Sequence, residues 1–343
     1  MSTESNSRRG GFSLEDFDDP VSFSKIISVP EEKPDYLKLV GREPTGLKEP
    51  EEGYNCVTNR EIFKLFAIKT RMIDAVPADT TFKLFGKTFK TPILCAAMSS
   101  LGTEMMKALA KGFKEAHSIM GVGISSGKQL EEILSVGGST IKYVKPFRDF
   151  DMMADQLKHA EAAGAMAVGC DTIFGFGRKM GERVIFSDYM FPLSQRNLER
   201  LVQSVSIPFI VKGVLSVEDA VKAKEAGAKG IVVSNHAGVV LDYCVHPLEV
   251  LPEIRMAVGK EMVIFADSGF RRGTDIFKAL ALGADAVLLG FILRNPLKVA
   301  GSDGVRDLID ILTEELRRVM SLAGCPSLKD IDPKAIFQRA YCL

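Results

Sequence analysis

Five apolar runs in this 343-residue chain carry, at or near their ends, residues able to do chemistry. MAVGCD stops at Asp171, FIVKGV carries Lys212, GIVVSNH ends at His236, VIFADS carries Asp267, and AVLLGF carries Gly290. A charge abutting an apolar run is expensive to bury alone, so each ionisable group there must be paired or put to use. For Lys212 the bland outcome is an ion pair with a carboxylate. His236 lies in SNHAG, where small neighbours leave room for a ligand beside an imidazole suited to taking up a proton near neutral pH. The stretch ADSGFRRGTDIFKALALGADAVLLG adds an anion site. Gly269 and Gly290 permit close backbone approach, RRGTD opens a helix whose N–H groups face an anion, and Arg271 can add a charge-assisted hydrogen bond.

The elements that must position these groups alternate regularly. Apolar runs at 93–98, 118–123, 141–146, 166–171, 209–214, 230–236, 263–268 and 286–291 are separated by amphipathic helical segments, several ending at a glycine suited to a left-handed cap. Near-continuous apolar strands alternating with helices require a parallel sheet covered on its outside. Eight such units predict an α/β fold, a (β/α)8 TIM barrel, with the reactive groups at the C-terminal ends of its strands. A doubly wound open sheet is disfavoured because no glycine-rich dinucleotide fingerprint follows the first strand. Residues 172–193 form a long connection after strand four, expected to be functional. The predicted organisation is an N-terminal extension of arm and short helices over 1–80, with helical pieces near 56–68, then the barrel over 81–343. Residues 1 to about 50 read as a flexible arm.

Composition removes several functions. Lys and Arg (44) balance Asp and Glu (44), so a general nucleic-acid or anionic-membrane surface is not expected. The six cysteines are dispersed without CxxC or zinc-ligand spacing, which predicts a reducing compartment and no metal. No apolar run reaches the roughly 20 residues needed to cross a bilayer, and the polar, acidic start is no secretory signal. A cytoplasmic enzyme acting on a small molecule is the expectation.

From Val211 to Leu328 the chain closely resembles the FMN-dependent α-hydroxy-acid oxidase and dehydrogenase family. VKGVLSVEDA, GIVVSNHAG with LD following, LPEI, ADSGFRRGTDIFKALALGADAVLLG and DGVRDLIDIL with ELRRVMSLAGCPSLKDI carry the resemblance, and weaker similarity reaches back to about residue 59. It implies bound FMN and a homo-oligomer, by family habit a tetramer. Lys212 then corresponds to the lysine beside flavin N1 and the C2 carbonyl, and Ser234 to a serine near the same edge. His236 corresponds to the base and Asp171 to the aspartate that holds its imidazole. Asp267, Ser268, Gly269 and Arg271 match ribityl and phosphate contacts, with Gly238 in the same cofactor-binding set. Gly290 matches a phosphate-loop glycine, Ala96 and Ala97 the first-strand backbone facing the flavin, and Lys142 a glutamine near the pyrimidine edge.

The departures bear on substrate. Val239 stands where the family has the arginine that clamps the substrate carboxylate, Val144 where it has a tyrosine after strand three, and Phe291 where it has a phosphate-binding arginine. Arg178, in the long loop, matches the family's second substrate arginine. Four readings follow. The first is an FMN oxidoreductase acting on a C–H next to a hydroxyl or amine in something other than a simple 2-hydroxy acid. The second is a true 2-hydroxy-acid enzyme relying on Arg178. In the third, Lys212 forms a Schiff base in a lyase or isomerase acting on a phosphorylated substrate. The fourth is a non-catalytic flavin binder.

Overall fold

The structure, a computed structural model, describes residues 51–180 and 183–340. The expected arm over 1–50 lies outside the described residues. Eight parallel strands form one sheet: β1 (Ile93–Cys95), β2 (Ile119–Val122), β3 (Ser139–Val144), β4 (Ala167–Asp171), β5 (Phe209–Val214), β6 (Gly230–Val233), β7 (Val263–Ala266) and β8 (Ala286–Leu289). β1 pairs with β8, and neighbours follow in chain order down to β2. A parallel bridge between Met98 and Val122 joins β1 to β2 and closes the cylinder. This is the (β/α)8 barrel expected from the alternation.

After each strand comes a helix: α1 (Thr103–Glu115), α2 (Gly127–Leu134), α3 (Phe150–Ala162), α4 (Gln195–Gln203), α5 (Val217–Glu225), α6 (Pro247–Val258), α7 (Gly273–Leu282) and α8 (Arg294–Leu322). Their starts are written in the sequence. Ser126, Asp149, Ser194 and Ser216 each accept a backbone N–H of the first turn of α2, α3, α4 and α5. At the far end of α7, Gly283 takes φ 119°, a conformation that costs a side chain.

Strand side chains alternate between two cores. Leu94, Ile119, Ile141, Tyr143, Ala167, Ile210, Val232, Phe265, Ala286 and Leu288 fill the barrel interior, while Val144, Val168, Cys170, Val211 and Ile231 face the helices. An antiparallel hairpin, Phe82–Leu84 with Lys87–Phe89, turns Phe82, Leu84 and Phe89 into the interior core at the end where the strands begin. At the other end lies the long connection, whose Arg178–Met180 and Arg183–Ile185 segments pair as a ribbon.

The segment before the barrel is packed onto it. Residues expected to be helical near 56–68 form the helix Tyr54–Glu61, a short 3-10 turn and the strand Phe66–Ile68, which pairs antiparallel with Ile336–Gln338 near the other end of the chain. The backbone N–H groups of Tyr54 and Asn55 both donate to Asp242, at 3.0 Å each. Asn59 and Asn235 exchange side-chain hydrogen bonds, and Arg60 donates to Asp275 at 2.7 Å and to the Gly269 carbonyl. This helix therefore ties together the loops that follow β6 and β7.

Candidate active site

Inward-facing positions at the C-terminal ends of β4, β5, β6 and β7 converge on one ionic cluster. Asp171 ends β4, and its Oδ2 lies 3.4 Å from Lys212 Nζ and 3.2 Å from His236 Nδ1. The Lys212 ammonium also reaches Ser234 Oγ at 3.0 Å, Asp267 Oδ2 at 3.5 Å and His236 Nδ1 at 3.1 Å. Asp267 accepts from the Ser268 hydroxyl at 2.8 Å. Asp171 and Lys212 are almost wholly enclosed, whereas the His236 side chain is 26% exposed and forms the open side of the cluster. Nδ1 lies within reach of both Asp171 and Lys212 and, according to tautomer, donates to the carboxylate or accepts from the ammonium, while Nε2 has no partner among the described residues.

A third cation belongs to this group. Lys145, the inward residue beyond the end of β3, donates to Asp171 Oδ2 at 2.7 Å. Its ammonium stands 3.5 Å from the centroid of Phe174, and Phe174 meets the His236 ring edge-on at 4.6 Å. Beneath lies Tyr143, whose buried hydroxyl has no hydrogen-bond partner among the described residues, as is also true of Asp171 Oδ1.

The charges set one another. Burial alone would raise the Asp171 carboxyl, but Lys145, Lys212 and His236 outweigh it and hold the group well below the usual carboxylate range. Burial likewise opposes the Lys212 charge, yet Asp171 and Asp267 hold that ammonium above its ordinary value. A lysine so held is protonated at neutral pH and is no nucleophile, which argues against the Schiff-base reading. Burial, then the Lys212 charge, pushes His236 down to about 4, so the ring is neutral at pH 7. Burial also brings Lys145 down to about 8 despite Asp171 beside it.

Backbone strain collects at the same rim. His236, Ala237 and Ser268 have φ of 51°, 59° and 76°, values uncommon for residues with a side chain. Gly238 and Gly269 are forced by the helix Tyr54–Glu61: a Cβ on Gly238 would lie 2.4 Å from Asn55 Cβ, and one on Gly269 2.1 Å from the Asn59 carbonyl oxygen. Gly290 differs, since an added Cβ would meet only Ala96 Cβ at 3.7 Å. The backbone at the end of β8 is therefore bare toward half-buried Ala96 and Ala97. Arg271 is exposed, and its N–H donates to Asp275 at the start of α7. Phe291 is 39% exposed, with the Arg294 guanidinium 5.0 Å from its ring centroid.

Two expected placements are corrected by the alternation of β3. Lys142 points away from the interior, donates to the Gly123 carbonyl and to Ser125 Oγ at 2.6 Å, and lines a cleft of about 600 Å³ with residues of α2 and α3. Val144 faces the helices, so the residue of β3 that reaches the cluster is Lys145. Counting by twos from Ile141 would have found it. Val239 is 2% exposed and offers no charge. Arg178 is 8% exposed, and its Nε and Nη2 have no hydrogen-bond partners among the described residues. Burial lowers this guanidinium to about 10.

Comparison with known proteins places this arrangement. A model of FMN-dependent dehydrogenases matches residues 48–188 and 177–338. A peroxisomal (S)-2-hydroxyacid oxidase of Arabidopsis thaliana is 32% identical over 318 residues, covering 82% of this chain and 87% of that protein. The 4-hydroxymandelate oxidase of Amycolatopsis orientalis is 33% identical over 310 residues, covering 79% and 87%. Among solved structures, a mandelate oxidase variant with (S)-mandelic acid superposes with a TM-score of 0.78 at 30% identity, covering 95% of this chain and 100% of that one. A mandelate oxidase carrying an FMN adduct gives 0.77 at 32%, covering 85% and 94%.

Proposed function

The chain belongs to the FMN-dependent dehydrogenase family and is an FMN-dependent oxidoreductase, and we propose that it oxidises a C–H bond next to a hydroxyl or amine with His236 as the base. The residues present fit the cofactor. The bare backbone between Gly290 and Ala96 leaves space beside the barrel mouth, and the Lys212 ammonium supplies a fixed positive charge at its floor. Bound FMN supplies the two-electron acceptor. Asp267, Ser268, Gly269 and Arg271 are the residues we assign to its ribityl and phosphate groups.

The observation that carries the reading is the single Asp171 oxygen shared by His236 Nδ1 and two ammoniums. With Nδ1 directed at the carboxylate, a neutral ring presents its Nε2 lone pair to the mouth. Nε2 takes the substrate proton, and Asp171 holds the imidazolium that results. Replacing His236 with Ala in FMN-loaded protein is expected to slow anaerobic flavin bleaching by substrate at least about a hundred-fold. Undiminished bleaching would remove the base role.

Substrate choice turns on Val239 and Arg178. A buried valine cannot hold a carboxylate, which favours a substrate larger or less charged than glycolate or lactate. One observation favours the second reading, a 2-hydroxy acid gripped by Arg178: two buried guanidinium nitrogens stand without partners among the described residues. Anaerobic mixing with glycolate, lactate, mandelate, neutral hydroxy amides and amine-bearing lactams separates the two. Fastest bleaching by the small acids selects Arg178 recognition.

A further inference from the structure

Lys145 makes the shortest contact to Asp171, yet transfer of the substrate proton to His236 does not itself require it. Its 2.7 Å bond ends on Oδ2, the same oxygen that faces His236 Nδ1, while Oδ1 accepts nothing from the described residues. One carboxylate therefore faces Lys145, Lys212 and a ring that must become cationic when it takes up a proton. Lys212 has a second carboxylate in Asp267, but Lys145 makes no other ion pair among the described residues. The groups around Lys145 are Asp171 and Cys170 from β4, Lys212 from β5, His236 beyond β6 and the Phe174 ring. Burial raises the Cys170 thiol, so it is neutral, and Asp171 is the one anion in contact among the described residues.

We propose that Lys145 is a positioning residue that sets how readily His236 accepts the substrate proton, acting through the Asp171 oxygen they share. Charged, it repels the imidazolium and occupies the negative charge that would stabilise it. Neutral, it still donates a hydrogen bond to Asp171, and the full carboxylate charge faces the imidazolium. The proton that Lys145 gives up goes to solvent through the mouth, and no bond to substrate is involved. The value near 8 for this ammonium puts the change within reach of ordinary buffers, and the Lys145 charge is among the influences that depress His236.

The inference rests on His236 being the base. The test is anaerobic flavin reduction in FMN-loaded protein, followed from pH 6 to pH 10 at saturating substrate. In the wild type the rate should rise with pH through about 8. Lys145→Met should lose that rise and reduce flavin faster at pH 6.5, by up to about ten-fold for each pK unit of relief on the imidazole. Lys145→Arg, charged throughout, should stay slow to pH 10. A purely structural role predicts lower rates with the midpoint unmoved, and a substrate contact predicts a raised KM with the midpoint unmoved. Either result overturns the inference. If the Met variant fails to hold FMN, the Arg variant decides alone, since a rise persisting near pH 8 cannot come from residue 145. Full activity in His236→Ala instead defeats the base reading, independently of the Lys145 profiles.

Discussion

Replacing Asp171 with Asn removes the carboxylate that three positive or potentially positive groups share. Breaking a buried ion pair by deleting one partner ordinarily costs about 3–5 kcal/mol, because the survivor is a stranded charge. Here the survivor can escape. Lys145, at about 8, is charged at pH 7 and loses its proton at a cost of about 1.4 kcal/mol. Exchanging a charged for a neutral hydrogen bond adds roughly another 1 kcal/mol. Lys212 keeps Asp267 at 3.5 Å and stays charged. The expected loss at pH 7 is thus about 2–3 kcal/mol. The sign with pH follows from the lysine: its folded value lies below its ordinary 10.5, so the unfolded chain holds more protons between them and stability rises with pH. Without Asp171 that value falls further and the variant's rise begins at lower pH. By pH 9.5 the wild-type lysine is already neutral, and the deficit should shrink to about 1 kcal/mol. Urea unfolding of FMN-loaded protein at both pH values measures this. A deficit of about 4 kcal/mol that ignores pH, within the range for a stranded charge, would refute the escape.

Two further outcomes follow from buried groups. Arg178→Met removes two nitrogens that have no partner among the described residues, so the ligand-free protein should gain about 1–3 kcal/mol in urea unfolding while KM for an anionic substrate rises; a destabilised variant would show that those nitrogens are satisfied. Gly269→Ala places a Cβ 2.1 Å from the Asn59 carbonyl at φ 84°, and should cost about 2 kcal/mol or more and weaken FMN retention, read by flavin fluorescence on dilution. An unchanged unfolding midpoint would mean that the helix Tyr54–Glu61 does not press on that loop.

The barrel was legible because the strands are apolar runs of the right length and most of the helices open on a capping side chain or close on glycine. Asp171, Lys212, His236 and Asp267 were legible for a related reason: polar residues interrupting such runs stand out, and barrel geometry sends strand ends to one mouth. Lys145 was hidden by parity. KYVKP offers two lysines three apart, and only the inward alternation of Ile141, Tyr143 and Lys145 decides between them; a slip by one residue turns every side chain to the opposite face. Contacts of Asn55 and Asn59 with the loop after β6, and of Arg60 with the loop after β7, span more than 170 residues of chain. No local pattern announces a partner at that separation. Phe174 was likewise only one aromatic in a long connection until the fold set it between Lys145 and His236.

The hairpin fills the lower end of the cylinder with Phe82, Leu84 and Phe89, and among the described residues the His236 side chain marks the open side of the ionic cluster at the other end. A substrate, a product and a bulky electron acceptor that share this opening all pass beside the same imidazole. Traffic through one door queues: the oxidised product has to clear the threshold before a large oxidant can come close to the ring. Turnover under such an oxidant then takes a ping-pong form, and product lingering at the rim throttles the second half of the cycle rather than the first.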